Sequence, residues 1–100
     1  MKLNEDFLNK IFAIIEEIPY GMVSTYGDVA KMAGYEKNSR LVGKALSYSG
    51  RFGSFPCYRV VNSCGRLVTG WHEQKDLLLS EGVTFKSNGN VDMKKHRMTI

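Results

Sequence analysis

Residue types that can do nucleophilic chemistry meet in one short stretch, the run FPCYRV at residues 55–60. Pro56 restricts its own backbone and holds Phe55 extended, so Cys57 is presented at a fixed position rather than in a mobile loop. A cysteine thiolate is a nucleophile, but a cysteine is also a common small buried side chain. The local sequence leaves both interpretations of Cys57 open.

Metal and cofactor sites have little support in the sequence. Cys57, Cys64, His72 and His96 could each bind a metal, but they lack the paired short gaps of a structural zinc site. No glycine-rich run opens a helix behind a strand as a phosphate loop requires, and there is no local signature of a serine triad. We therefore expect no metal and no cofactor.

Length and composition indicate an ordinary globular protein. The chain has 100 residues, 43% of them hydrophobic and 24% charged, which predicts one domain over residues 1–100. No apolar run approaches the roughly 18 residues that a membrane span needs, and the polar, acidic start does not look like a signal peptide. We expect a cytoplasmic monomer, without membrane association, whose two cysteines are free thiols.

The charge distribution permits a polyanionic partner. The net charge is +4 and the pI about 9.2. Basic residues cluster in two places, at Lys37, Arg40, Lys44 and Arg51, and at Lys94, Lys95 and Arg97. Each cluster is either a solvated face or a contact surface for nucleic acid.

The first half of the chain predicts three helices. Apolar residues at helical spacing indicate a helix over residues 5–18 after the N-cap Asn4, ended by Pro19 and Gly21. A second, short helix follows Thr25 and closes at Gly34, and a third follows Asn38 or Ser39. Two short helices joined by a tight turn indicate a helix-turn-helix.

The second half predicts minor β-structure and one more helix. A glycine- and serine-rich connection over 47–54 precedes a strand at 58–62, a turn at 63–65 and a returning strand at 66–68. A helix over 73–81 and a closing hairpin, 83–85 with 91–93 around Asn88-Gly89, complete the chain. The fold class is mainly α with minor β.

Gly43 interrupts the third helix on the face that carries Arg40, Lys44 and Ser47. A glycine there costs about 1 kcal/mol relative to alanine, so something must offset it. Crowding against a neighbouring helix is one explanation, and close approach to a nucleic-acid backbone is the other. The flanking cations favour the second explanation.

Four segments together resemble a known family. These are GMVSTYGDVA at 21–30, SRLVGKAL at 39–46, PCYRVV at 56–61 and LSEG at 79–82. In this order they are similar to the DNA-binding, active-site domain of the O6-alkylguanine-DNA alkyltransferases, over roughly residues 5–85. The resemblance implies a winged helix-turn-helix-like domain that binds double-stranded DNA in the minor groove. In the family, the damaged guanine is turned out of the stack and a cysteine takes its alkyl group in one irreversible turnover.

The resemblance also implies roles for individual residues. Tyr26 would help turn the nucleotide out, Arg40 would fill the vacated space, and Gly43 would permit the close approach. The matching positions in contact with DNA are Tyr26, Arg40, Gly43, Lys44, Ser39 and Thr25. The lesion pocket would be formed by Pro56, Cys57, Tyr58, Arg59, Val60 and Trp71. Cys57 matches the alkyl acceptor and Glu81 the family's supporting glutamate.

One departure from the family concerns the chemistry directly. The family's acceptor motif is Pro-Cys-His-Arg-Val, in which the histidine removes the thiol proton through a water, but Tyr58 stands in that position. A phenol is a poor proton acceptor at neutral pH. A free thiol is only about 3% thiolate at pH 7, so loss of the base costs about thirtyfold in rate. Arg59 is a nearby cation, but strand alternation predicts that it faces away from Tyr58.

The departure leaves three hypotheses. The chain is similar to the short alkyltransferase-like proteins, which have no extra N-terminal domain, bind alkylated guanine without repairing it and pass it to nucleotide excision repair proteins. Those relatives usually lack the cysteine, however, and retention of Cys57 keeps an active methylated-DNA-protein-cysteine methyltransferase as the second hypothesis. A helix-turn-helix transcription factor is the third, although the third helix offers few base-reading groups.

Overall fold

The fold is built on one long helix and a helix-turn-helix that packs across it, in a computed structural model that describes residues 5–46 and 55–98. The helices are α1 (Glu5–Glu16), α2 (Tyr26–Met32), α3 (Ser39–Leu46), α4 (Glu73–Ser80) and α5 (Met93–His96). Two short strands, β1 (Ser24–Thr25) and β2 (Val60–Val61), form the sheet, and Cys57–Arg59 is a turn of 3₁₀-helix. The predicted class, mainly α with minor β, is confirmed.

Helix α1 buries the stripe that its apolar spacing predicts. Its buried residues are Phe7, Ile11, Phe12 and Ile15. The helix ends at Glu16 rather than at residue 18, because the N–H groups of Glu17 and Ile18 bond three residues back, at 3.0 and 3.1 Å, and Pro19 follows. Ile18 is nevertheless buried. The predicted N-cap Asn4 and the predicted connection over 47–54, which includes Ser47 and Arg51, lie outside the described residues.

The predicted helix-turn-helix is present. Thr25 caps α2, because its Oγ1 accepts a hydrogen bond from the Asp28 N–H at 3.0 Å. Gly34 follows the helix with a φ of +85°, a left-handed conformation that glycine adopts readily. The carbonyl of Asn38 accepts the first bonds of α3, from Leu41 and Val42, which identifies Asn38 rather than Ser39 as the N-cap.

The small sheet differs from the prediction. Strands β1 and β2 pair in parallel, with Ser24 opposite Val60, whereas an antiparallel pair of residues 58–62 with 66–68 was expected. The turn at 63–65 does form, but residues 66–68 are not a strand. The Arg66 N–H donates to the Asn62 side chain at 2.7 Å, and the Val68 N–H donates to the Gln74 side chain at 2.7 Å. Side chains therefore accept hydrogen bonds from the backbone N–H groups of residues 66 and 68 that an antiparallel strand pair would need.

The C-terminal third packs against the strand before the helix-turn-helix. Helix α4 ends at Ser80, one residue earlier than expected, before Gly82 with its φ of +84°. The predicted hairpin is reduced to one antiparallel bridge between Phe85 and Val91. The basic segment from Lys94 to Arg97, whose structure the sequence left open, contributes to α5 and forms an isolated parallel bridge from Arg97 to Val23, the residue before β1.

Two apolar clusters lie on the two sides of the sheet. The first core consists of Phe7, Ile11, Phe12, Ile15, Ile18, Val29, Ala30, Val42, Ala45, Cys57 and Val60. The second core consists of Val23, Val61, Leu78, Val83 and Val91. Neighbours Val60 and Val61 point into different cores because successive side chains of a strand alternate. Within residues 5–46 and 55–98, no helix has the length and apolarity to cross a membrane.

Candidate functional site

Cys57 lies at the start of the 3₁₀ turn, held by a tight bend at Pro56. The Cys57 N–H donates to the Phe55 carbonyl at 2.8 Å across Pro56, whose φ of −78° and ψ of 58° define an inverse γ-turn. The bend turns the cysteine into the first core, where it is 5% exposed. Neither Cys57 nor the exposed Cys64 is in a disulfide.

Three aromatic residues pack on the same core as Cys57. Tyr26, Phe55 and Trp71 are each partly buried against the first core, although they are far apart in the sequence. Burial raises the pKa of the Tyr26 phenol, and the charge that Cys57 carries as a thiolate raises it further. Both residues also pack on the first core. The predicted nucleotide-turning residue and the predicted acceptor therefore share one environment.

Glu81 is the centre of a second group of polar contacts. Its Oε1 accepts hydrogen bonds from the Gly21 N–H and from Arg59 Nε, both at 2.9 Å. Its Oε2 accepts from Arg59 Nη2 at 2.7 Å and from the Tyr58 hydroxyl at 2.6 Å. Arg59 also donates from Nη1 to the carbonyl of Ile18 at 2.8 Å. The carboxylate is 3% exposed, and both of its oxygens are occupied.

These contacts fix the charge state of the group. Burial would raise the pKa of Glu81, but hydrogen bonds from Arg59, Gly21 and Tyr58 outweigh it and hold that pKa below its ordinary value. Burial, followed by the hydrogen bond to Glu81, raises the pKa of the Tyr58 phenol. The hydrogen bond to Glu81 likewise raises the pKa of Arg59. At neutral pH, position 58 therefore carries a protonated hydroxyl that donates to a carboxylate.

The expected separation of Tyr58 and Arg59 is wrong. Strand alternation placed their side chains on opposite faces, but both reach Glu81. The reason is the 3₁₀ turn, in which consecutive side chains are about 120° apart instead of on opposite faces. The Arg59 guanidinium also lies over the Tyr58 ring, 5.4 Å from its centroid. Tyr58 packs on the second core, whereas Cys57 and Trp71 pack on the first.

Helix α3 presents the predicted DNA-contacting residues away from the first core. Arg40 and Lys44 are exposed, and Ser39 and Gly43 are partly buried. A Cβ added at Gly43 would lie 4.0 Å from Tyr26 Cε1, which is an ordinary van der Waals distance. Crowding within the protein, one of the two explanations for this glycine, is therefore not its cause. The same geometry places Gly43 beside Tyr26.

Sequence reasoning missed Gln74, which supports the turn that carries Cys57. Gln74 is fully buried, and its Nε2 donates to the carbonyls of Tyr58 and Val60 at 3.1 and 3.2 Å. A signal for it did exist, because Gln74 lies four residues before the buried Leu78 and so on the same face of α4. Sequence reasoning also missed the ion pair of Asp28 with Arg97, whose atoms approach to 2.8 Å.

Metal-binding side chains are dispersed in the part of the chain that the structure describes. No three histidine, cysteine, aspartate or glutamate residues come together there in a way that could hold a metal ion. His96 instead bonds to Gly21 and Thr84.

Comparison with protein families identifies the family of this chain. The family model described as 6-O-methylguanine DNA methyltransferase, DNA binding domain, matches residues 6–83. The chain belongs to this family. The matched range includes the helix-turn-helix, Cys57 and the whole Glu81 group, so the resemblance found in the four sequence segments is confirmed.

Individual family members extend the comparison. The DNA base-flipping protein of Vibrio parahaemolyticus serotype O3:K6 is 41% identical over 96 residues, 93% of this chain and 96% of that protein. Alkyltransferase-like protein 1 of Schizosaccharomyces pombe is 38% identical over 84 residues, 79% of this chain and 78% of that protein. The crystal structure of S. pombe Atl1 in complex with damaged DNA containing O6-carboxymethylguanine has a TM-score of 0.85 at 31% identity and covers 100% of both chains.

A methyltransferase structure in the family matches less completely. Mycobacterium tuberculosis OGT in complex with DNA gives a TM-score of 0.64 at 28% identity, over 79% of this chain and 51% of that chain. The fold of the present chain therefore matches the alkyltransferase-like structure more closely than this one.

Proposed function

We propose that this protein binds double-stranded DNA containing O6-alkylguanine, turns the damaged base out of the stack, and retains it without taking its alkyl group. The observation that carries the proposal is the hydrogen bond from the Tyr58 hydroxyl to Glu81, 2.6 Å long, at the position where the family's histidine acts as base. The names of the relatives, a DNA base-flipping protein and an alkyltransferase-like protein, support the binding half of the proposal.

The contacts of Glu81 explain why transfer to Cys57 would fail. Removal of the thiol proton needs an acceptor within reach, either directly or through one water. The Tyr58 hydroxyl donates a hydrogen bond to Glu81 and its pKa is raised, so it keeps its proton and does not accept one at neutral pH. Glu81 itself is saturated by Arg59, Gly21 and Tyr58 and its pKa is lowered, so it does not take up a proton either. In this proposal, the proton-accepting histidine of the family is thus replaced by a hydrogen-bonded group of Tyr58, Arg59 and Glu81 that takes up no proton.

The helix-turn-helix supplies the DNA-binding surface in this proposal. Arg40 and Lys44 are exposed on α3 and would face the phosphates and the vacated stack, with Ser39 as a further contact. Thr25 is only 3% exposed and its Oγ1 caps α2, so it would act by fixing the start of that helix rather than by touching DNA with its hydroxyl. Gly43 has no side chain on the same face, and a Cβ there would meet Tyr26 Cε1 only at 4.0 Å, which suits close approach to a minor groove. Tyr26 stands beside Gly43 and packs on the core that contains Cys57, so it would link the DNA surface to the pocket. Cys57 and Trp71, on the first core, would receive the turned-out base.

Binding to defined duplexes tests the proposal. A fluorescence anisotropy titration should show tighter binding to a duplex with one O6-methylguanine than to the matched guanine duplex. Tyr26→Ala and Arg40→Ala should each weaken lesion binding by about tenfold or more, equivalent to about 1.4 kcal/mol, whereas Cys57→Ala should change it little. Lys10→Ala removes a cation from α1, outside the helix-turn-helix, and is the matched control for Arg40.

Two results of this titration would contradict the proposal. Equal binding to both duplexes would favour the transcription-factor hypothesis, since such a protein has no reason to prefer the lesion. Normal lesion binding by Tyr26→Ala would remove the base-turning role from that residue. A loss with Lys10→Ala as large as that with Arg40→Ala would show that overall charge, rather than α3, determines affinity.

An active methyltransferase is the second candidate, because Cys57 stands at the acceptor position, is not in a disulfide and packs on the same core as Tyr26. In this candidate, the missing base alone limits the rate. Tyr58→His should then accelerate methyl transfer from an O6-methylguanine duplex to Cys57, measured as the mass of the cysteine-containing peptide over time. Tyr58→Phe removes the same hydrogen bond to Glu81 without supplying a base, and should not accelerate transfer.

The remaining parts of the proposal concern the cellular setting. Because the proposed function retains the lesion without repairing it, a second activity would have to remove it, and nucleotide excision repair proteins are the expected recipients. We expect it to act as a monomer in the cytoplasm. Size-exclusion chromatography with light scattering tests the first point, and cell fractionation tests the second.

A further inference from the structure

The C-terminal segment fastens the start of the helix-turn-helix through one ion pair. Arg97 donates from Nε to Asp28 Oδ2 and from Nη2 to Asp28 Oδ1, both at 2.9 Å, in the two-pronged geometry that orients a carboxylate most firmly. The Asp28 side chain is 11% exposed and that of Arg97 is 49% exposed. Asp28 lies in the first turn of α2, and Arg97 lies beyond residues 6–83, which the family model matches.

Backbone hydrogen bonds attach the same segment to Val23, the residue before β1 in the chain that leads into α2. The Val23 N–H donates to the His96 carbonyl at 2.8 Å, and the Met98 N–H donates to the Val23 carbonyl at 2.7 Å. His96 Nδ1 lies 3.1 Å from the carbonyl of Gly21. The chain entering α2 is therefore held at its backbone by residues 96–98 and at its first turn by the Arg97 side chain.

This attachment acts on the residues that the proposed function needs most. Thr25 is the N-cap of α2 and Tyr26 is its first residue, so both lie within three positions of Asp28. In a capping box the acidic side chain in this position bonds back to the N-cap backbone, but Asp28 is instead committed to Arg97. The direction of the first turn thus depends on a residue from the other end of the chain.

We propose that Arg97 is a positioning residue for DNA binding: through Asp28 it fixes the first turn of α2 and with it the orientation of Tyr26. The inference rests on the proposed function. The rival role for Arg97 is a direct contact with a DNA phosphate. The two roles predict opposite results for Asp28→Asn. That substitution removes a negative charge and frees Arg97, so it would leave or improve binding if Arg97 contacts DNA, and weaken binding if Arg97 positions α2.

A double-mutant cycle on lesion binding provides the test. Arg97→Gln and Asp28→Asn should each weaken binding to the O6-methylguanine duplex about tenfold, and the double variant should also lose about tenfold rather than a hundredfold. Asp28→Asn keeps the N-cap bond, because that bond uses its backbone N–H. The slope of log affinity against log salt should stay as in the wild type, whereas loss of one phosphate contact would lower it by about 0.9.

Three further variants separate positioning from charge and from folding. Lys95→Gln removes the same charge from exposed α5 and should change affinity less than about twofold. Arg97→Lys keeps the positive charge but cannot make the two-pronged contact with Asp28, and should show an intermediate loss of affinity. In a Tyr26→Ala background, Arg97→Gln should weaken binding of the lesion duplex little further. A general loss of fold would instead weaken binding in this background as well. Circular dichroism and thermal melting confirm that each variant is folded at the assay temperature.

The outcomes distinguish this inference from the function on which it rests. Wild-type preference for the lesion, with unchanged binding by Arg97→Gln and Asp28→Asn, would overturn the positioning role alone. Improved binding by Asp28→Asn, additive losses, or an equal loss with Lys95→Gln would also overturn it. A wild-type protein that binds no duplex would overturn the proposed function and the positioning role together.

Discussion

Replacing Glu81 by glutamine perturbs the group that decides between retention and transfer. The substitution keeps the size of the side chain but removes its charge, and the amide can accept on one side only. It leaves Arg59, whose side chain is 14% exposed, without its counter-ion, and it offers the Tyr58 hydroxyl and the Gly21 N–H one acceptor oxygen between them. The result should be a large loss of stability from one nearly isosteric change.

The magnitude follows from burial. Breaking a buried ion pair by removing one partner costs about 3 to 5 kcal/mol. Arg59 retains its bond to the Ile18 carbonyl and is not fully buried, so the loss should fall below that range or at its lower end, at about 2 to 3 kcal/mol. For a domain of this size, the melting temperature should fall by about 10 to 20 °C. Tyr58→Phe removes only one hydrogen bond to the carboxylate and should cost about 1 kcal/mol.

The assay is urea denaturation at 25 °C over a range of pH. Because the pKa of Glu81 in the folded protein lies below its ordinary value of 4.5, its contribution is present above about pH 4.5 and is lost as the pH falls through the lowered pKa. Wild-type protein and Tyr58→Phe should lose stability in that acidic range, and Glu81→Gln should lose less. A stability loss under about 0.5 kcal/mol for Glu81→Gln, or an unchanged acid profile, would refute the account of this group.

Two further pairs of variants test the helix-turn-helix and its glycine. Thr25→Ala removes the side-chain cap of α2 and should cost about 1 kcal/mol, whereas Ser24→Ala should be neutral or slightly stabilising, because Ser24 Oγ is buried with no hydrogen-bond partner among the described residues. Gly43→Ala should raise stability by up to about 1 kcal/mol, since the added methyl would lie 4.0 Å from Tyr26, but should weaken DNA binding. Gly65→Ala, with a φ of +85° and a backbone oxygen 2.6 Å from the added Cβ, should destabilise strongly.

Each pair has a result that would contradict it. Urea denaturation measures the stability of both Thr25→Ala and Ser24→Ala. Equal losses of stability would mean that the hydrogen bond to the Thr25 side chain does not stabilise α2. If Gly43→Ala gains stability and binds DNA as tightly as wild type, close approach to DNA is not the reason for that glycine. If it loses stability, the space beside Tyr26 is smaller than the structure indicates.

Local patterns predicted the helices well because their signals are local. The apolar spacing of α1 and the cap at Thr25 each depend on residues within one or two turns. The sheet was predicted wrongly because its donors are taken by the side chains of Asn62 and Gln74, and no local pattern records such a competition. The same limit applies to the parallel pairing of β1 with β2, which joins segments about 36 residues apart in the chain.

In the candidate site, too, the sequence predicted the local features but not the long-range contacts. The residue types in PCYRV, together with Glu81, identified the right group from the sequence, but strand alternation misdirected the side chain of Arg59. A 3₁₀ turn of three residues leaves no periodic signature, so the convergence of Tyr58 and Arg59 on one carboxylate was not predictable. The attachment of Asp28 to Arg97 spans most of the chain, and only the three-dimensional structure reveals it.

The fate of the methyl group tests the central claim most directly. Wild-type protein and Cys57→Ser are incubated with an excess of duplex containing O6-methylguanine, and the intact mass of the protein and the mass of the peptide containing Cys57 are followed over time. Binding of the duplex is measured in the same samples. The account predicts that wild-type protein retains the lesion duplex and keeps its mass unchanged. A methyl increment on the Cys57 peptide of the wild type, absent from Cys57→Ser, would contradict it.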